Sequence, residues 1–278
     1  MFQTYTFVAY SHQSVETINH DYGFVEGLEE VERLVKKLKT CDLLSLHCNE
    51  VQGKLIGISL SSEKGKADFV SLFPLSDENL AKLNLLSELF EDENITKIVY
   101  DLKTEKHILA DYDCLVKGNC FDVQLAHYLL DSEVSHRLDF LSEKYLSYRM
   151  TDGESLIKES SKLLQTNALK VRKSQYSDYC SEIADVLFQL KDILETELKN
   201  NDLYSLFVDM ELPLVDVLFS MERNGVKIDS AELAEFSKKL GTHKIELENQ
   251  IYALAGERFN IASPKQQTSG IACFATNP

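Results

Sequence analysis

Residues 209–266 read DMELPLVDVLFSMERNGVKIDSAELAEFSKKLGTHKIELENQIYALAGERFNIASPKQ. Together with Leu203, Leu206 and Phe207 just ahead, Met210, Leu214, Val217, Leu218 and Met221 fall on one helical face. Pro213 removes a backbone donor, so it kinks that helix or starts a new one. Asn224 and Gly225 both tolerate positive φ and predict a stop, after which Val226–Ile228 is a short extended piece. Asp229, with Glu232 three residues later, predicts the cap of a second helix. That helix carries Leu233, Phe236, Leu240, Leu247, Ile251 and Leu254 on nearly heptad spacing, enough for about six turns up to Ala255. Gly256 ends it, and Ser263-Pro264-Lys265-Gln266 reads as a further helix start, with Ser as cap and Pro at the first helical position. By local physics alone the stretch is a helical hairpin.

Upstream, strand and helix signals alternate. Thr4–Ala9 alternates as a strand does, and Glu26–Thr40 places Leu28, Val31, Leu34, Val35 and Leu38 on one helical face. Asp42–Cys48, Lys54–Ser61 and Ala67–Phe73 are closely spaced β-rich runs, predicting an antiparallel meander. Asp77–Phe90 then reads as helix, Lys97–Tyr100 as strand and Leu102–Ala110 as helix. The fold class is therefore α/β (α+β) with a central mixed sheet. From Phe121 onward the pattern is almost wholly helical, with Phe121–Leu130, Arg137–Leu146 and Gln175–Lys199 as helices. Thr151–Lys173 is polar and reads as loop or weak helix.

Composition bounds the function. The 278 residues are 44% hydrophobic and 27% charged, ordinary for a globular protein, and the formal charge is -16. No run of 18 or more apolar residues occurs, and the start MFQTYTFVAYSHQ has no basic and apolar leader pattern. The expectation is a cytoplasmic protein with no membrane partner. The 6 cysteines form no CxxC pair, which favours reduced, packed thiols over a disulfide framework or a zinc site at Cys114 and Cys120. Negative charge repels polyanions, so nucleic-acid binding requires a local basic face. His47, His107, His127 and His136 have no partner at a ligand spacing and read as surface or satisfied core histidines.

The residues MERNGVKID and AGERFNIASPKQ, with the helices between them, closely resemble the start of the polymerase region of family A DNA polymerases, the bacterial DNA polymerase I type. DLKTEKHILADYDCLVKGNCFDVQLAHYLLDS resembles the second exonuclease motif of that family, and YCSEIADVLFQL the third. The resemblance covers the chain from about Thr4, with no 5'-nuclease domain ahead of it. It implies a 3'-5' exonuclease-like domain of ribonuclease H-like fold over residues 1–202, then the base of a polymerase thumb over residues 203–278.

In that family, two divalent metals held by carboxylates generate hydroxide and stabilise the pentavalent phosphorus. Such ions need hard oxygen ligands. The first motif, Asp-x-Glu, aligns on Leu46 and Cys48 in LLSLHCN; with Leu44 they form one apolar face expected to bury against the core. The second motif's carboxylate falls on Glu105, preceded by Asp101. The third, Tyr-x-x-x-Asp, falls on Tyr179 and Ile183, four apart and so on one helical face. Glu182 and Asp185 lie about 100° and 200° around that helix from Ile183, so neither substitutes easily for the missing carboxylate. Asp42 and Glu50 flank the first strand as turn residues, and Asp122 reads as a helix cap. Three of the four ligand positions are thus occupied by Leu46, Cys48 and Ile183, and the expectation is a vestigial centre in which these residues and Glu105 converge without a metal.

The family's palm and fingers residues lie beyond SPKQ, and QTSGIACFATNP does not sustain the expected apolar helix, so the chain reads as a fragment of DNA polymerase I. The leading expectation is a non-catalytic scaffold in DNA replication and repair. It has no cofactor and makes weak DNA contact through Lys244, Arg258 and above all Lys265 at a helix N-terminus. The missing remainder of the polymerase is a further expected partner. The alternative is an active 3'-5' exonuclease trimming single-stranded DNA with Mg²⁺ or Mn²⁺ on rearranged ligands such as Asp101, Glu105, Asp122 and Asp185. A further alternative is a protein-interaction module.

Overall fold

Apolar alternation in the middle of the chain becomes a six-stranded sheet in the computed structural model, which describes residues 13–14, 18–158 and 175–263. Strands β2 (Asp21–Val25), β3 (Leu43–Val51), β4 (Lys54–Glu63), β5 (Lys66–Ser71), β6 (Thr96–Val99) and β7 (Cys120–Asp122) lie in the order β2-β5-β4-β3-β6-β7. β3, β4 and β5 form the expected antiparallel meander, while β2 pairs with β5, β6 with β3 and β7 with β6, all in parallel. A two-stranded parallel pair joins β1 (Gln13–Ser14) to β8 (Tyr148–Arg149). Gly57 in β4 lets the sheet close: a Cβ there would stand 2.4 Å from the Phe69 ring and 2.4 Å from the carbonyl oxygen of Val70.

Two differences from the sequence reading concern strands. Residues 120–122 are the edge strand β7 and not the first turn of the next helix, and β2 has no counterpart among the expected elements. Thr4–Ala9, most of Thr151–Lys173 and the helix start at Pro264 lie outside the described residues; residues 153–158 are helical.

The helices start where side chains supply acceptors for otherwise unpaired amides. α1 (Leu28–Leu38) opens with Glu30 Oε2 accepting from Gly27 N at 3.0 Å and Glu26 N at 3.1 Å. α2 (Asp77–Phe90) is capped by Ser76, α3 (Leu102–Ala110) by Asp101 and α4 (Val123–Leu130) by Asp122. Asp122 also accepts from Leu102 N at 2.8 Å, so one buried carboxylate ties the starts of α3 and α4 together. α5 (Leu138–Leu146) follows, and then α6 (Gln175–Asn200), which lies across β3, β4 and β5.

The sheet has a core on each face. One holds Val31, Leu34 and Leu86 of α1 and α2 against Leu44, Leu46, Ile58 and Val70. The other holds Ile183, Leu187, Leu190 and Leu194 of α6 against Ile98, Phe121, Val123 and Ala126. Both faces of the central strands are therefore covered.

After α6, a short helix (Tyr204–Leu206) and a π-helical turn (Phe207–Glu211) lead into α7 (Leu212–Asn224), with Pro213 at its second residue. Phe207 is buried in the second core against Phe121, and Val215 in the first. α7 is further joined to the α3 region by Lys103–Glu222, Lys106–Asp216, His107–Glu222 and Arg223–Asp111 ion pairs. By compactness the chain divides into two units between Arg223 and Asn224.

The second unit is built as its sequence predicts. Gly225 has φ 67°, Asp229 accepts from Ala231 N and Glu232 N, and α8 (Ser230–Ala255) ends at Gly256 with φ 75°. Leu233, Phe236, Leu240, Leu247 and Leu254 on it are exposed. No described helix is long and apolar enough to cross a membrane.

Candidate functional site

The site begins with the way β3 is paired. β4 accompanies it from Ser45 to Val51, whereas β6 pairs only with Leu43, Leu44 and Ser45. Past Ser45 the second edge meets α3, and Cys48 N–H donates to Glu105 Oε2 at 2.9 Å. His47 Nδ1 binds the other oxygen, Glu105 Oε1, at 2.7 Å. Glu105 is buried and held by two partners from one strand.

An open cleft of ≈ 590 Å³ lies beside this pair, with His47, Tyr100, Arg137, Asp139, Tyr179 and Ile183 in its walls. Tyr179 and Ile183 share one face of α6, as their spacing predicts. Gly153 lies against Tyr179 so closely that a Cβ would stand 2.2 Å from the phenol.

Leu46 and Cys48 do not line this cleft. Both belong to the opposite core, with Leu44, and burial together with neighbouring Glu105 pushes the Cys48 thiol well above its ordinary value. The strand face turned toward α6 carries Ser45, whose Oγ donates to Ala184 O at 2.6 Å, and His47. The expected convergence of Leu46 and Cys48 with Ile183 is therefore corrected by one residue along β3, because side chains alternate across a sheet and both faces here are buried.

The other acidic residues are engaged elsewhere. Glu182 accepts from Tyr148 OH at 2.6 Å and from Thr151 N at 3.2 Å, and burial raises its carboxyl above the usual range. Asp185 accepts from Tyr22 OH at 3.0 Å, Gly65 N at 2.8 Å and Gln189 Nε2 at 3.0 Å. Asp101 and Asp122 cap helices, and burial pushes the Asp122 carboxyl up to about 7 against the backbone amides that favour its charged form. Asp42 and Glu50 are exposed near the ends of β3. The rearranged ligand set Asp101, Glu105, Asp122 and Asp185 is thus dispersed, and among the described residues no group of three or more His, Cys, Asp or Glu side chains is placed to hold a metal. The acidic side chains in the cleft walls are Asp139, Glu143, Asp152 and Glu154, with Asp139 paired to Arg137 at 3.0 Å.

Of the cations expected to touch DNA, Lys244 faces Glu248 at 3.7 Å and Arg258 stands over the Tyr252 ring at 5.6 Å. Lys265 lies outside the described residues.

A mixed six-stranded sheet with helices on both faces, carrying His47, Tyr179 and Ile183 at one cleft, defines a ribonuclease H-like 3'-5' exonuclease fold. Residues 22–199 match the 3'-5' exonuclease family of the DNA polymerase A type, and the chain belongs to that family. It is 31% identical over 261 residues to DNA polymerase I of Pseudomonas aeruginosa, covering 88% of this chain and 28% of the relative. With DNA polymerase I of Caldicellulosiruptor bescii the identity is 36% over 183 residues, covering 66% of this chain and 19% of the relative. The chain therefore spans about a quarter or less of the length of these relatives.

Among solved structures, the POL domain of Pol1 from M. smegmatis in complex with DNA primer-template and dNTP is similar with a TM-score of 0.68 and 21% identity, over 89% of this chain and 40% of that one. Escherichia coli RNase D, an exoribonuclease involved in structured RNA processing, has a TM-score of 0.60 and 13% identity, over 72% of this chain and 51% of that one. At these identities the likeness concerns the fold.

Proposed function

We propose that this chain is a non-catalytic exonuclease-like scaffold of a DNA polymerase I-type protein, acting in the cytoplasm in DNA replication and repair. Residues 1–202 are the exonuclease-like part and residues 203–278 the start of the thumb; the compact units divide later because Phe207 and Val215 pack into the first part. The remainder of a polymerase is its natural partner, and its DNA contact is weak, through Lys244, Arg258 and Lys265. The observation that carries this reading is the engagement of Glu105 by His47 and Cys48 N–H beside a cleft into which β3 and α6 bring no carboxylate. Two divalent ions need several hard oxygens converging at once, and among the described residues no group of three or more His, Cys, Asp or Glu side chains is so placed.

The test is to incubate the chain with end-labelled single-stranded DNA and Mg²⁺ or Mn²⁺, beside a Glu105→Ala variant. No shortening above the metal-free background is expected from either. Metal-dependent shortening that Glu105→Ala abolishes would establish the active exonuclease instead.

A second reading, a protein-binding module, has one observation in its favour: the exposed apolar residues Leu233, Phe236, Leu240 and Leu254 along α8. It predicts concentration-dependent self-association in light scattering, and a strictly monomeric chain at high concentration would remove it.

A further inference from the structure

His127 on α4 is fully buried, and both of its ring nitrogens are occupied. Nε2 lies 3.3 Å from Lys144 Nζ on α5, and Nδ1 lies 2.8 Å from His136 Nδ1 in the connection between the helices. An ammonium group can only donate, so His127 Nε2 accepts and the neutral ring carries its hydrogen on Nδ1. His136 Nδ1 then accepts, which puts the hydrogen of its neutral ring on Nε2. The chain of donors runs one way, from Lys144 through His127 to His136. A proton added to His127 sets an N–H against the Lys144 ammonium, and one added to His136 Nδ1 sets it against the N–H of His127. Either event leaves two donors facing each other in a half-buried place.

The connection held by this pair also forms a wall of the cleft. The carbonyl of His136 accepts from Tyr100 OH at 2.9 Å, and Tyr100, Arg137, Leu138 and Asp139 all line the cleft. We propose that His127, His136 and Lys144 form a proton-sensitive latch that holds the 136–139 wall in place at neutral pH and releases it on acidification. The inference stands independently of whether the cleft hydrolyses DNA.

The remaining groups around the pair set the direction. Lys144 and Asp131 are the charges beside His127, with Asp131 Oδ2 3.8 Å from Lys144 Nζ. The rings of Phe140 and Tyr145 pack on His127, that of Tyr128 packs on His136, and α6 brings apolar side chains to the core that includes Val123 and Ala126 of α4. Burial first, then Lys144 and His136, pull His127 from 6.5 down to about 4, with Asp131 opposing. A folded value below the unfolded one means that the latch is intact above about 6.5 and is lost as pH falls toward about 4.

The experiment uses the ¹⁵N-labelled full chain. Long-range ¹H–¹⁵N NMR at neutral pH is expected to show His127 as the Nδ1–H tautomer and His136 as the Nε2–H tautomer. Hydrogen exchange, corrected for intrinsic rates, is expected to show opening of residues 131–139 rising about tenfold per pH unit below the ordinary histidine value, relative to the amides of β3 and β4. Lys144→Met, a partly exposed substitution that removes the forcing cation, should reduce that rise several-fold. The latch is overturned by an Nε2–H tautomer or an ordinary titration of His127, by pH-independent exchange at 131–139, or by a rise that β3 and β4 share equally.

Discussion

Phe207→Ala is expected to destabilise the first unit by about 3–5 kcal/mol, read as a fall in the urea midpoint with the slope unchanged. Phe207 is 1% exposed, its ring centroid is 5.1 Å from that of Phe121, and it shares a core with Leu190, Leu194 and Leu198 of α6. Removing the ring deletes the apolar area it buries and leaves a cavity between α6 and the β7 edge. A π-helical turn and the following Pro213 limit how far the backbone can collapse into that space. A loss below about 1 kcal/mol would mean that residues beyond 202 are not part of this core.

Glu182→Ala and Asp185→Ala are each expected to cost about 2–3 kcal/mol, with or without Mg²⁺ or Mn²⁺. Truncating Glu182 leaves the Tyr148 hydroxyl and the Thr151 amide without their acceptor, and truncating Asp185 strands the Tyr22 hydroxyl and the Gly65 amide. These donors lie in buried or half-buried places, so water does not fully replace the lost partner. Tyr148→Phe removes donor and demand together at one end of the Glu182 pair and should cost less than Glu182→Ala. Stability that falls in these variants only when a divalent metal is present would instead mark Glu182 or Asp185 as a ligand.

These two carboxylates show where sequence reading of the site stops. Their place on α6 rules them out as stand-ins for Ile183 by helical rotation alone, and the structure agrees. Their actual partners are 34 residues away at Tyr148 and 163 residues away at Tyr22, a distance no local pattern spans. The same limit explains the shift along β3. Alternation separates Leu44, Leu46 and Cys48 from Ser45 and His47, but only the packing of α6 decides which set meets the cleft. Phe121 and Asp122 read as helix because Phe121–Leu130 is apolar enough for one, and the three residues of the strand Cys120–Asp122 are too few to show a period.

What the chain's residues determine by themselves is the order of elements from α1 to α3, the meander, the caps at Asp122 and Asp229, and the family. Each of these rests on spacing within a few residues or on motif text. The tertiary structure alone decided that His47 takes the carboxylate of Glu105, that Phe207 belongs to the α/β core, and that ring nitrogens of His127 and His136 meet. The reason is that hydrogen bonds and burial join residues brought together by chain folding, while periodicity reports only which side of an element is apolar.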